Sequence, residues 1–146
     1  MKGFAVAYCE NDAKAVLSKH QRKVTSHRVD VLLFLMRHKK AFTFNQVTQH
    51  FINKIDRATV YRILGQLEAC DIVRKVMNAD GHACYFYSDH APEVVPSYLE
   101  CVDCDRVFSL PAPPEQYLEL LGSYQTAPIS TLLRGNCNRQ DCCTEH

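Results

Sequence analysis

Two cysteine pairs constrain the fold of this 146-residue chain most tightly: Cys101-x2-Cys104 in "ECVDCDRV" and Cys137-x4-Cys142 in "GNCNRQDC". Four thiolates carried on two polar turns suit a tetrahedral Zn²⁺, which binds sulfur at about 2.3 Å. The 32 residues between the pairs exceed a compact zinc ribbon, but a strand, a helix and a second strand fill that gap. A metal at this place would staple the C-terminal turn onto the first knuckle and support a domain too small to be stable on its core alone. A thioredoxin-like redox pair fits less well, because no βαβ pattern surrounds Cys101 and Cys104 and a second pair exists. The spacing therefore predicts one structural zinc per chain, on Cys101, Cys104, Cys137 and Cys142. Cys143 stands next to Cys142 as an alternative fourth ligand.

Eight cysteines would read as a disulfide framework in a secreted protein, and as metal or redox ligands in a reducing compartment. The opening "MKGFAVAYCEND" has one Lys and an apolar run that soon meets Glu10 and Asp12, too short for a signal peptide or a membrane span. The expectation is a cytoplasmic protein with no membrane partner. A net charge of +1 hides a strong division. Residues 1–87 hold 14 Lys/Arg against 7 Asp/Glu (+7), and residues 88–146 hold 3 against 9 (−6). A nucleic-acid-binding half joined to a non-binding half has this signature.

The basic half reads as short helices followed by a hairpin. A first helix is expected around Asp12–His20. In "KVTSHRVDVLLFLMRHKKAF", Ser26 is a candidate N-cap, and Val29, Leu32, Leu33 and Met36 recur at helical spacing. "TFNQVTQHF" sets Thr43 and Gln46 in capping-box spacing, with Phe44, Val47 and Phe51 as its apolar stripe. "DRATVYRILGQLEACDIV" has Asp56 as cap and a core face of Val60, Ile63, Leu64 and Leu67. Its opposite face carries Ala58, Arg62, Gly65 and Ala69, flanked by Thr59, Tyr61 and Gln66. Small residues around one Arg allow close approach to another surface, as a recognition helix requires. "DIVRKVMNADGHACYFYS" gives two β-prone runs around a turn at Asn78–Gly81. Three helices and such a hairpin make a winged helix-turn-helix, with Arg74 and Lys75 expected to reach phosphates from the wing.

"SDHAPEVVPSY" has two prolines and no periodicity, and reads as a hinge. Beyond it come two strand ends joined at the first knuckle, a helix in "PPEQYLELLGSY" with Pro114 in its first turn, and a last strand in "PISTLLRG". The expected class is α+β: a winged-helix DNA-binding domain over 1–87, a hinge over 88–97, and a small α/β dimerisation domain with a four-cysteine zinc knuckle over 98–146.

From about Leu17 to Cys142 the chain resembles the ferric uptake regulator family. "KVTSHR" is similar to the family's basic approach to its second helix, "ATVYR" (Ala58–Arg62) to its recognition-helix signature, and "CVDC" with "GNCNRQDC" to its zinc knuckle. The resemblance implies a homodimeric repressor that binds an AT-rich palindrome in double-stranded DNA. It also implies base contact by Tyr61, phosphate contact by Arg62, a minor-groove reach by Lys23, and support of the DNA-facing surface by Arg28. With Arg57 and Thr59 from the first turn of the recognition helix, these form the expected DNA-binding set.

The departures from the family matter equally. Where members usually carry a histidine cluster before CxxC, this chain has "EVVPSYLEC". The usual sensing glutamate corresponds to Phe86, and the usual histidine near the start of the third helix to about Ala41. A second, regulatory metal would have to be held by His82, Cys84, His90 and Glu93, a donor set acceptable to Zn²⁺ or Fe²⁺. Four thiolates leave no open coordination position, so the chain is not expected to be an enzyme. The expected function is transcriptional repression linked to metal homeostasis or stress. The alternative is a thiol-based redox sensor acting through zinc release or oxidation of Cys70, Cys84 or Cys143.

Overall fold

The computed structural model describes residues 7–38, 40–78, 80–88, 97–104, 107–124 and 131–138, and its chain divides into two compact units, Met1–Ser88 and Asp89–His146. In the first unit, Glu10–Lys19 forms α1, Ser26–Arg37 α2, Phe44–His50 α3 and Arg57–Ala69 α4. Phe42–Thr43 (β1), Val73–Met77 (β2) and Ala83–Tyr87 (β3) form a sheet in the order β1-β3-β2, with both pairings antiparallel. This is the expected winged helix-turn-helix.

Side-chain caps set the starts of three helices. Thr43 and Gln46 complete a reciprocal capping box at α3: the Gln46 amide donates to Thr43 Oγ1 at 3.2 Å, and the Thr43 amide to Gln46 Oε1 at 2.8 Å. Asp56 caps α4 by accepting from the Thr59 amide at 2.9 Å. At α2 the cap is Thr25 rather than Ser26, its Oγ1 accepting from the Arg28 amide at 3.4 Å. Either hydroxyl could cap; the choice of Thr25 comes with an arrangement in which Arg28 reaches toward α4.

Val60, Ile63, Leu64 and Leu67 of α4 are all buried and join Val29, Leu32 and Met36 of α2, Val47 of α3 and Val73 of β2 in one core. Burying each large aliphatic side chain stabilises the unit by about 1.5–3 kcal/mol. The hairpin turns where expected. Asn78 Oδ1 accepts from the amides of Asp80 and His82, and Gly81 takes a φ of +79°, where a side chain would be strained. The wing's cations have partners within the unit. The Arg74 side chain is mostly buried and pairs with Asp71 at 3.2 Å, while Lys75 pairs with Glu68 at 3.3 Å. Both are engaged within the unit.

In the second unit, Ser97–Cys101 (β4), Val107–Leu110 (β5) and Thr131–Gly135 (β6) form a sheet in the order β5-β4-β6, and Glu115–Gly122 forms α5. β4 pairs antiparallel with β5 and parallel with β6, with Cys101 opposite Gly135. α5 buries none of its residues, although Leu118 and Leu121 are partly covered. Pro114 is its N-cap, just outside the first turn where it was expected. Of the expected hinge, Ser88 closes the first unit, Ser97 opens β4, and the residues between lie outside the described residues.

The Asp56 cap makes α4 sensitive to acid. Hydrogen bonds from the Thr59 hydroxyl and amide hold its carboxyl below the ordinary value of 3.8, assisted by the charge of Arg62. A folded-state pKa below the unfolded one contributes stability that is fully present above the unfolded value and lost as pH falls through the folded value. Asp56→Asn retains a capping oxygen but cannot titrate there. Melts followed by circular dichroism at pH 7 and pH 3 should therefore show a smaller acid-induced loss in Asp56→Asn than in wild type. Equal losses would exclude Asp56 from the acid response.

Candidate metal centre and nucleic-acid interface

The topology of the second sheet gathers thiols at one end. β4 and β6 run parallel, so their C-terminal ends coincide, and Cys101 closes β4 while Cys137 follows β6 by two residues. Cys104 sits in the turn that leaves β4. The three Sγ atoms lie within 4.8 Å of one another, with Cys101 and Cys104 buried and Cys137 partly so. A tetrahedral zinc with ~2.3 Å sulfur bonds needs thiolates roughly 3.8 Å apart, so this trio fits three of four ligand positions. Backbone ties hold the ends together: the Val102 amide donates to the Gly135 carbonyl at 3.0 Å and the Cys137 amide to Cys101 Sγ at 3.4 Å. Asn136 also donates to the Asp103 carboxylate, joining the two turns through side chains. Cys142 and Cys143 lie outside the described residues. The cluster can hold a metal ion, and among the described residues no other group of three such donors converges.

Of the expected second site, His82 and Cys84 are among the described residues. His82 is exposed at the end of the turn, and Cys84 is buried in β3 with its thiol 3.7 Å from the His82 carbonyl. His90 and Glu93 lie outside the described residues. Phe86 and Ala41 are both buried and carry no donor atom. Of the cysteines named for oxidation, Cys84 is buried, and Cys70 is half-buried with the Arg22 Nε 2.6 Å from its sulfur.

On the first unit, the face of α4 opposite the core is open. Ala58, Arg62, Gly65 and Ala69 are exposed, and a Cβ placed on Gly65 would meet nothing within 4 Å. The close approach that the small residues allow is thus not used within the unit. Tyr61 projects with 65% of its surface exposed. Arg62 is held by a short relay in which its Nη2 donates to Thr59 Oγ1 at 3.2 Å and that hydroxyl donates to Asp56 Oδ2 at 2.5 Å.

Arg28 and Arg57 act as clamps. Arg28 donates to Gln66 Oε1 from Nε and Nη2 at 3.1 and 2.7 Å, and to the Lys23 carbonyl from Nη1 at 2.9 Å. The segment bearing the exposed Lys23 is thereby fastened beside α4. Arg57 donates to Asn45 Oδ1 at 2.9 Å and to Thr48 Oγ1 at 3.4 Å, and lies over the Phe44 ring at 4.5 Å. Sequence reasoning assigned Phe44 to the core stripe of α3 and missed its second contact, an edge-to-face packing with Tyr61 at 5.7 Å. No local signal announces a contact seventeen residues apart.

Known proteins share this arrangement. The chain is 32% identical over 97 residues to the ferric uptake regulation protein of Haemophilus influenzae, a match spanning 64% of this chain and 64% of that relative. The chain thus matches just under two thirds of the relative's length. The Vibrio cholerae ferric uptake regulator, described as showing rearrangement of its DNA-binding domains, superposes with a TM-score of 0.59 at 24% identity, over 85% of this chain and 98% of that one. A zinc uptake regulator solved with zinc and DNA gives a TM-score of 0.70 at 16% identity, over 88% and 90% of the two chains. These solved structures share the fold. Residues 19–120, most of the chain, match the model of the Ferric uptake regulator family, and the chain belongs to that family.

Proposed function

We propose that this protein is a homodimeric DNA-binding transcriptional repressor whose C-terminal unit is held together by one structural zinc on Cys101, Cys104, Cys137 and Cys142. The observation that carries the DNA-binding part is the open face of α4. It presents Tyr61 and Arg62 to solvent while its opposite face is wholly buried. Arg62 is oriented in advance by Thr59 and Asp56, which lowers the entropy lost on contacting a phosphate. Lys23, carried on the segment that Arg28 fastens to α4, supplies a second cation beside the first. Arg57 and Thr59 act mainly by shaping this surface. Membership of a family that includes a zinc uptake regulator solved with DNA supports the same reading.

Dimerisation is supported by the second unit. Tyr117, Leu120, Tyr124 and Leu133 leave 43–69% of their surfaces exposed in the single chain, and no residue of α5 is buried. An apolar surface of that kind on a small unit is stabilised by a second copy. Zinc is supported by the converging thiols, since a closed four-thiolate site stabilises a fold and leaves no position for a substrate.

Sensing is proposed to differ from that of the family's iron- and zinc-responsive members. Phe86 and Ala41 supply no ligands, and His82 and Cys84 meet no third donor among the described residues. The zinc-loaded dimer binds DNA without a second metal. No helix among the described residues is long and apolar enough to cross a membrane, which agrees with a DNA-binding role.

Three outcomes follow from this reading. Cys104→Ser should lose its tightly bound zinc in metal analysis and melt at a lower temperature; retention of both would exclude the knuckle. Arg62→Ala should bind duplex DNA more weakly, with a log–log salt slope lower by roughly 0.9 for one lost phosphate contact. An unchanged slope in a folded variant would remove Arg62 from the interface. Added Zn²⁺, Fe²⁺ or Mn²⁺ should change the DNA affinity of the zinc-loaded dimer by less than about tenfold, ~1.4 kcal/mol. A larger gain that disappears in His82→Ala or His90→Ala would establish a regulatory site.

A further inference from the structure

A shallow depression lies where the end of α2, β1 and α3 meet. The nearly buried rings of Phe34 and Phe42 stand at its base. Two exposed imidazoles, each placed by ring contacts, flank them. His50 stacks on Phe34 at 4.2 Å and 26°, and His38 meets Phe34 at 4.7 Å and Phe42 edge-to-face at 5.6 Å. Exposed side chains ordinarily sample several rotamers, so these contacts turn the imidazoles into flat, fixed walls. The charge of the depression has one sign. Lys40 Nζ lies 5.1 Å from the Phe42 ring centroid and has no carboxylate partner among the described residues. No acidic side chain lines the depression among those residues. Asn45 and Gln49 line it from the exposed side of α3. The Asn45 oxygen accepts from Arg57 at 2.9 Å, which leaves its amide nitrogen as a donor, and the Gln49 amide makes no hydrogen bond among the described residues.

We infer that this depression is a binding site for a small planar aromatic carboxylate. The ring lies along the imidazoles over the phenylalanine base, and the carboxylate pairs with Lys40 and accepts from the amides of α3. A flat group suits a shallow site, because it buries a whole face against rings that favour stacked and edge-to-face contact. An ammonium with no carboxylate nearby, beside two amide donors, favours an anion through charge-assisted hydrogen bonds and disfavours a cation. Asn45 also gives the site a route to α4. One residue both lines the depression and holds Arg57, so an occupant that draws on its amide acts on the clamp at the α4 start. The role of effector rests on the DNA-binding reading, whereas ligand binding stands apart from it.

The full chain is titrated with benzoate and followed by its backbone amide NMR signals. Benzamide, which keeps the ring without the charge, and cyclohexanecarboxylate, which keeps the charge without the planar ring, are titrated in parallel. Benzoate should give saturable shifts centred on His38, Lys40 and α3, and each analogue should bind about tenfold more weakly. Lys40→Met keeps the length of the side chain and removes its charge, and should also lose about tenfold. Gln49→Ala, at an exposed position of α3, is a second variant and should lose a smaller factor. Lys19→Met, on the exposed surface of α1, should bind benzoate as wild type does. Absence of saturable shifts, equal binding of the three probes, or wild-type affinity in folded Lys40→Met and Gln49→Ala variants overturns the inference. Saturating benzoate should then change the affinity of wild type for duplex DNA and leave that of Lys40→Met unaltered at the same concentration. Benzoate that binds without changing DNA affinity overturns the role of effector. A ligand-free chain that binds no duplex counts against the DNA-binding reading alone, because the NMR titration contains no DNA.

Discussion

Everything that the first unit can offer a partner depends on how α4 is buried. Val60, Ile63, Leu64 and Leu67 lock one side of the helix into the core, and a helix fixed on one side has no freedom to rotate. Its opposite side must then face solvent with whatever the sequence placed there: Ala58, Tyr61, Arg62, Gly65 and Ala69. The clamps at the edges refine a position already set by the core. Arg28 fastens the Lys23 segment to Gln66, and Arg57 fastens the α4 start to α3. Each contributes a hydrogen bond or two, of the order of 1 kcal/mol net apiece. The apolar face is therefore the larger energy, and the clamps decide geometry within it.

The second unit solves a different problem with different means. Its described core is small, and no residue of its helix is buried. A three-stranded sheet with so little apolar burial is marginal unless something else closes it. Parallel pairing of β4 and β6 brings three thiols to one end, where a metal would join the knuckle to the terminal turn. The exposed apolar residues of α5 and β6 are what a second copy would cover. Basic and acidic halves of the chain thus divide the labour by charge, one half suited to a polyanion and the other to a metal and another protein.

The wing shows how charge on paper differs from charge in space. Arg74 and Lys75 stand on a β-hairpin of the kind that meets phosphates in winged helices, and each also has a carboxylate partner within the unit, Asp71 and Glu68. The exposed tip carries Asp80. Lys23, just before α2, and Arg57 and Arg62 on α4 lie exposed. The exposed start of α4 is shaped in part by α3, whose Phe44 ring packs against Tyr61 and lies under Arg57.

By itself the sequence determined whatever depends on near neighbours. The Thr43–Gln46 box, the Asp56 cap, the hairpin turn at Gly81 and the helical core stripe of α4 are written in spacings of two to seven residues, where geometry leaves one outcome. The spacing within each thiol pair is equally local, whereas Cys137 comes beside Cys101 and Cys104 through the parallel pairing of β4 and β6. Tertiary structure alone decided the long-range contacts: Arg28 with Gln66, Lys75 with Glu68, and Tyr61 with Phe44. It also decided that Thr25, not Ser26, caps α2, because two adjacent hydroxyls are locally equivalent. A side chain's local pattern says which face it occupies. Only the packed chain says what stands opposite, as for Phe44, which meets both the core and the exposed Tyr61 ring.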